Sequence, residues 1–232
     1  MFFPLHDDNP TRRFPILTVL LIAGNVLVFI YELGLGPRAT AFIQSFGAVP
    51  AEILDPRSWG RHVPVPGIPS PPPEPLTLVT SMFLHGGFMH LIGNMAYLWI
   101  FGNNIEDVLG RVRFIVFYLL GGIAAGLTHI FLSPSSAVPA IGASGAISAV
   151  LGAYLVLYPR ARVRALLFLG FFIRIVWVPA IVLLVFWFVF QLLSAAVTPR
   201  TEGGVAWFAH IGGFVAGLLA IRVFLVGRRD AV

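Results

Sequence analysis

Cysteine and lysine are both missing from this chain, and acidic residues number only 10 among 232. Without cysteine there are no disulfides, no thiolate metal sites and no cysteine nucleophile. Charged residues make up 11% of the sequence, less than half of the roughly 25% usual in soluble domains. Hydrophobic residues reach 58%, and the mean hydropathy is +0.90. That balance excludes a water-soluble globular fold, and the chain reads as an integral membrane protein.

A hydrocarbon core of about 30 Å needs about 20 mainly apolar residues per crossing helix. Six stretches qualify: residues 14–33, 78–101, 114–132, 141–158, 178–197 and 205–226. They take up most of the sequence, so residues 1–232 are expected to form a single domain, an all-α bundle of six transmembrane helices. The first stretch follows Arg12 and Arg13 as a secretory signal would. It is long, however, and has no small-x-small cleavage site before Tyr31, so it is expected to be a retained helix.

With no lysine, arginine alone sets the topology. If the N-terminus is cytoplasmic, Arg12, Arg13, Arg111, Arg113, Arg160, Arg162, Arg164, Arg174, Arg222, Arg228 and Arg229 lie inside, and only Arg38, Arg57, Arg61 and Arg200 lie outside. The net charge of +5 then reports topology and attraction to anionic lipid. No soluble basic face argues for nucleic acid as a partner.

The outer connection from Gly34 to Pro75 ends in the run VPVPGIPSPPPEP, which favours extended polyproline backbone and cannot cross lipid. Phe42, Phe46 and Trp59 fit a loop that partly rests in the outer membrane interface, where aromatics are enriched, and a plain linker fits equally well. On the inner side, Pro159 to Trp177 mixes arginine with apolar residues and is broken by Gly170 and Arg174. It is expected to be an interfacial segment leading into the fifth helix. No internal repeat is evident, which weakens a transporter built on inverted repeats.

Polar side chains inside a membrane are costly and mark function by default. Ser144 opens the fourth helix, His210 lies near the start of the sixth, and His90 and Asn94 share a face of the second, four residues apart. These three helices run in the same direction, and at about 1.5 Å per residue the four groups fall at a similar depth. A lone membrane serine usually bonds back to its own helix, and a lone histidine usually serves structure, which is the reading for His129. The shared depth lifts the other four above that. Gly145, Ala149 and Gly152 on the fourth helix and Gly213 and Gly217 on the sixth form small-residue stripes suited to close helix contact.

A serine hydroxyl becomes a nucleophile when a base takes its proton, and histidine, with an ordinary pKa of about 6.5, is the usual partner. Ser144 and His210 form such a dyad. No Asp or Glu lies in the outer halves of the second, fourth or sixth helix, so packing is expected to orient the imidazole. Asn94, His90 and the backbone N–H of Ser144 can donate to an oxyanion. Gly142 and Gly145 are expected to let substrate approach closely. No HExxH pair supports a zinc site, and no metal or other cofactor is expected.

Motif by motif, the chain resembles the rhomboid family of intramembrane serine proteases. Gly142-Ala143-Ser144-Gly145 matches the family's GxSG, and His85, His90 and Asn94 match its HxxxxHxxxN. Ala209, His210, Gly213 and Gly217 match its AHxxGxxxG, and Gly102, Glu106 and Gly110 its GxxxExxxG. The resemblance spans all six stretches. It implies hydrolysis of peptide bonds within or beside transmembrane segments of membrane-protein substrates, with Ser144 as nucleophile, His210 as base, and His90, Asn94 and Ser144 around the oxyanion. His85, Gly142, Gly145, Gly213 and Gly217 would support them. It also implies a cytoplasmic N-terminus and a site open to the outer side, in keeping with the arginines, and a bacterial inner membrane suits so short a chain. Two positions depart from the family. The aromatic that some members carry four residues after the serine is Ser148 here, and the Trp-Arg pair of the first outer loop is split by Gly60 into Trp59 and Arg61.

A catalytically inactive relative that binds or escorts transmembrane clients is the alternative reading. Such relatives typically lose the serine or the histidine. A channel or transporter would carry ionisable groups at mid-depth rather than a cluster near one surface. Nothing in the sequence specifies an oligomeric state.

Overall fold

The computed structural model describes residues 2–61, 65–169, 172–198 and 205–227. Gly170, Arg200, Arg228, Arg229 and the start of the proline-rich run at 63–64 lie outside them. In chain order the elements are strand β1 (Phe2–Asp7), helix α1 (Ile16–Gly34), the loop helices α2 (Ala39–Phe46) and α3 (Pro50–Ile53), and the segments α4 (Thr77–Thr80), α5 (Phe88–Tyr97) and α6 (Asn103–Leu109). Then follow α7 (Arg111–Leu132), α8 (Ser144–Leu157), strands β2 (Arg162–Leu169) and β3 (Phe172–Pro179), α9 (Ala180–Val197) and α10 (Trp207–Phe224). The protein is a mostly helical membrane protein.

Among the described residues, α1, α7, α9 and α10 are each long and apolar enough to cross a membrane. The expected straight span at 78–101 is instead bent. The helical segments Glu74–Phe83 and Phe88–Leu109 meet at 84°. Leu84 is extended (ψ 145°), and Gly86 and Gly87 follow before α5 begins at Phe88. Adjacent glycines carry the largest entropic penalty in a helix and break it there. Past the corner the helix continues through a π-helical turn, Leu98–Gly102, and stops at Gly110, whose φ of +71° suits glycine.

Helix α8 starts at Ser144 itself, later than the expected 141, and has 14 residues. At about 1.5 Å per residue it covers roughly 21 Å, short of a core of about 30 Å. Its C-terminus leads through residues 158–161 into the sheet. Every residue from Gly145 to Tyr154 is buried, which makes α8 the central helix, wrapped by its neighbours rather than by lipid. By contrast α9 exposes Ile181, Val182, Val185, Phe186, Val189 and Phe190, as a lipid-facing helix does.

The interfacial segment expected at 159–177 folds as a β-hairpin, joined by β1 in the order β1-β2-β3, all antiparallel. Arginine and small apolar residues alternate along β2, so Val163 and Ala165 point into the core while Arg162 and Arg164 face out. That period of two is a strand signal. The sheet ties the N-terminal segment to the connection between α8 and α9, so both lie on one side of the bundle. On the opposite side, Ala48 bridges Ala140. The bridge joins the α1–α4 loop to the α7–α8 loop.

Of the aromatics of that long loop, Phe42 packs against protein. Phe42 is buried, with its ring 4.6 Å from Phe46 and 5.3 Å from Tyr31. Together with Leu35 and Leu84 it forms a small core of its own, because α2 turns its apolar stripe towards protein. Trp59 is exposed, and its indole donates to the Ile53 carbonyl at 3.3 Å. Gly60, whose φ is +72°, separates Trp59 from Arg61 and donates its N–H to both oxygens of buried Glu74 at 3.1 Å. Glu106 satisfies the first turn of α1 from far along the chain. It accepts from Leu17 N–H at 2.9 Å, Thr18 N–H at 2.7 Å and the Thr18 hydroxyl at 2.8 Å, donors that a helix start otherwise leaves unpaired.

Asp7 closes β1 over the far end of α8. It accepts from Tyr154 OH at 2.6 Å and Asn104 Nδ2 at 2.8 Å. Burial raises its pKa above the ordinary carboxylate value, despite the opposing bonds from Tyr154 and Asn104. The folded state therefore holds this proton more tightly than the unfolded state does. Stability from this group is full below the unfolded pKa and is lost as pH rises through the folded one. Asp7→Asn keeps an acceptor oxygen without the charge. The wild type should lose Tm relative to Asp7→Asn as pH rises from about 4 to neutrality, where ordinary aspartates have ionised. Parallel Tm curves would remove Asp7 from the pH dependence.

Candidate active site

The site is built where α8 and α10 approach most closely. A side chain on Gly213 would run into the Gly145 carbonyl, one on Gly217 into the Ala149 carbonyl, and one on Gly152 into the Phe214 carbonyl. The two helices thus lie in parallel, with Gly145 beside Gly213 and Ala149 beside Gly217, and only glycine allows backbones so near. This register brings Ser144, one residue before Gly145, to His210, three residues before Gly213. His210 Nε2 lies 2.8 Å from Ser144 Oγ. Both residues are half-buried.

The other ring nitrogen has a partner that was not anticipated. His210 Nδ1 lies 2.8 Å from Oε1 of Gln191 on α9. Packing was expected to hold the ring alone, but a hydrogen bond holds it as well. Packing contributes through Trp187, with its ring centroid 5.9 Å from the imidazole at 35°, and Trp207, edge-on at 6.2 Å. Both flank the ring where Ser148 supplies no aromatic. The Ser148 hydroxyl instead donates to the Ser144 carbonyl at 2.6 Å.

His90 and Asn94 reach the same place from α5. Gly142 has a φ of +112°, and a Cβ there would lie 2.7 Å from His90 Nε2 and 3.4 Å from Asn94 Nδ2. The small residues around the serine were expected to make room for substrate. At these two positions the space is taken by the protein itself, His90 and Asn94 beside Gly142, and Ala125 and α10 beside Gly145. Gly86 N–H donates to His90 Nδ1 over a long 3.4 Å, which leaves the ring hydrogen on Nε2, next to Gly142. Asn94 Nδ2 meets Nε2 of buried His85 at 3.0 Å. An amide nitrogen only donates, so one Asn94 N–H is held by His85 and the second has no partner among the described residues. The corner carrying His85 is itself pinned, as His85 N–H points at the carboxylate of buried Glu32 at 3.3 and 3.4 Å. As the first helical residue, Ser144 has a backbone N–H with no intrahelical acceptor.

Five sequence-selected residues, Ser144, His210, His90, Asn94 and Gly142, therefore converge, with His85 behind Asn94 and Gly145, Gly213 and Gly217 at the helix contact. His129 makes no hydrogen bond to this group among the described residues. Neither Gln191 nor Glu32 was legible as a site residue, since Gln191 is an amide rather than an acid and Glu32 lies on α1, outside the second, fourth and sixth helices. A signal existed for Gln191. It is the one amide of α9, whose other polar side chain is Ser194, and it lies on the same stripe as Ala180, Leu183, Leu184 and Trp187; such residues mark function by default. Among the described residues, no three His, Cys, Asp or Glu side chains are grouped to hold a metal ion.

Comparison with known proteins agrees with this arrangement. Residues 72–227 match the family model described as the Rhomboid domain. The chain is 30% identical over 207 residues to rhomboid protease GluP of Bacillus subtilis (strain 168), covering 89% of this chain and 34% of that protein. It is 32% identical over 155 residues to the mitochondrial rhomboid protein 1 of Saccharomyces cerevisiae, covering 62% of this chain and 40% of that one. Over 94 residues it is 36% identical to the mitochondrial presenilin-associated rhomboid-like protein A of Danio rerio, covering 40% of this chain and 24% of the other. The chain thus spans well under half the length of these relatives. With the family model matched over residues 72–227, from the loop before α4 through α10, the chain belongs to the rhomboid family.

Proposed function

We propose that this chain is an intramembrane serine endopeptidase that cleaves peptide bonds within or next to transmembrane segments of membrane-protein substrates. The observation that carries the reading is the 2.8 Å contact between Ser144 Oγ and His210 Nε2, a nucleophile and base within hydrogen-bond reach between two apolar helices. Ser144 Oγ attacks the scissile carbonyl carbon and its proton passes to His210 Nε2. The oxyanion that forms is met by the free N–H of Asn94, the Nε2–H of His90 and the backbone N–H of Ser144. His210 then returns the proton to the departing amine, leaving an acyl-serine. Water attacks that ester, its proton goes to His210, and release of the acid restores the serine.

The active site opens towards the outer side, with the N-terminus cytoplasmic. Two features support this orientation, the excess of arginine on the sheet side and the place of Ser144 at the end of α8 away from the sheet. We propose the bacterial inner membrane as the residence, on the match to the Bacillus subtilis relative along 89% of this chain.

The experiment is cleavage of a reporter with a single transmembrane segment in proteoliposomes. Wild type should cut the anchored reporter and leave the same sequence without its anchor intact. Ser144→Ala should be slower by at least about a thousandfold. Clean binding of the reporter with no cleavage by the folded wild type would point to the inactive, client-binding relative.

A further inference from the structure

The structure assigns Gln191 as the third member of the site: a positioning residue that fixes the tautomer of His210, so that the dyad is completed by a neutral amide from α9. This rests on the protease reading above. The inference follows from which groups can only donate and which can only accept.

The Gln191 amide nitrogen lies 3.2 Å from the carbonyl of Trp187, one turn earlier in the same helix. A carbonyl only accepts, so the NH2 end of the amide must face it, and the orientation of the amide is settled. Its Oε1 is left facing His210 Nδ1 at 2.8 Å. An amide oxygen also only accepts, so Nδ1 must carry the ring hydrogen. Nε2 is then the bare nitrogen, and it lies 2.8 Å from the Ser144 hydroxyl. That is the tautomer a general base needs. In the other tautomer Nε2 would present a hydrogen to the serine and could take none from it.

Gln191 is also held in place. It is 3% exposed, although its helix is mainly lipid-facing. Trp187, one turn away, supplies both the carbonyl that orients the amide and a ring beside the imidazole. A carboxylate at this position would carry a full charge into the bilayer, which the membrane penalises. An amide gives the same acceptor geometry without the charge. The titratable side chains whose charge reaches His210 are His90 on α5 and His129 on α7. Helix α9 has no titratable residue.

Two variants of similar volume test the assignment. Gln191→Leu fills the space but offers no acceptor, and Gln191→Glu offers an acceptor oxygen whether or not it is ionised. The measurements are kcat and KM on the anchored reporter, together with 15N resonances of the histidine rings. We expect Gln191→Leu to lose about 10- to 100-fold in kcat with KM nearly unchanged, as suits the loss of a correctly poised base. Gln191→Glu should recover most of that loss. The His210 resonances should report hydrogen on Nδ1 in wild type and a mixture of tautomers in Gln191→Leu. If Gln191→Leu folds with wild-type kcat and an unmixed Nδ1–H tautomer, the assignment is wrong and the amide only packs. If Gln191→Leu does not fold, Gln191→Glu and Gln191→Met decide it, since an active Gln191→Met would overturn the role. A wild type whose cleavage is independent of Ser144 fails at the level of the protease itself, and the assignment falls with it.

Discussion

A small fluorophosphonate will label the detergent-solubilised protein at Ser144 and at no other residue. Ordinary membrane serines are inert because their hydroxyls are engaged and no base adjoins them. Ser148, one turn below, gives its hydroxyl to the Ser144 carbonyl at 2.6 Å, and Ser81 gives its own to Leu78 at 3.4 Å. Among the described residues, Ser144 is the serine that faces an imidazole nitrogen, at 2.8 Å. The reagent forms a tetrahedral phosphoryl adduct with a developing negative oxygen, so it needs base and donors together. His210→Ala should therefore abolish labelling as completely as Ser144→Ala, although the hydroxyl is still present. Mass spectrometry of the labelled peptide reads the result. Labelling that survived in folded His210→Ala protein would assign the base elsewhere, with His90 the nearest alternative.

Removal of either oxyanion donor should lower kcat by about a hundredfold while KM changes little, because these bonds strengthen only as charge develops on the oxygen. The variants are Asn94→Ala and His90→Ala. Asn94 is aimed by the 3.0 Å contact of its other N–H with His85, so His85→Ala should produce a smaller loss in the same direction. Combined in one protein, Asn94→Ala and His90→Ala should lose less than the product of the single losses, since donors to one oxygen act as a unit. Steady-state kinetics on the anchored reporter distinguish this from substrate docking. If both variants raised KM and left kcat alone, the two residues would belong to the docking surface.

Six apolar stretches and four motifs were legible in the sequence because both depend on local chemistry. A membrane span must satisfy its own backbone, so hydropathy reveals it directly. A nucleophile, a base and small residues at helical spacing reveal the site in the same way. The corner at Gly86–Gly87 was less legible, since the apolar content of 78–101 runs on across it and hydropathy does not register direction. The sheet was missed for another reason. The alternation in Arg162-Val163-Arg164-Ala165 is a short period-two signal within a segment read for its charge, and its partner strand lies at Phe2–Asp7, far away in sequence.

From the sequence by itself come the membrane class, the rhomboid resemblance, and Ser144, His210, His90 and Asn94 as candidates. Each follows from what a residue type can do and from spacing along one helix. The tertiary structure alone decided which group faces the second imidazole nitrogen, what occupies the space beside Gly142, and that α8 is short and enclosed. Those depend on contacts between helices distant in sequence: Gln191 on α9 with His210 on α10, His90 on α5 with Gly142, and the full burial of a 14-residue α8. Hydrogen-bond direction and helix register are properties of pairs of groups, and a linear sequence specifies them only once the chain has closed on itself.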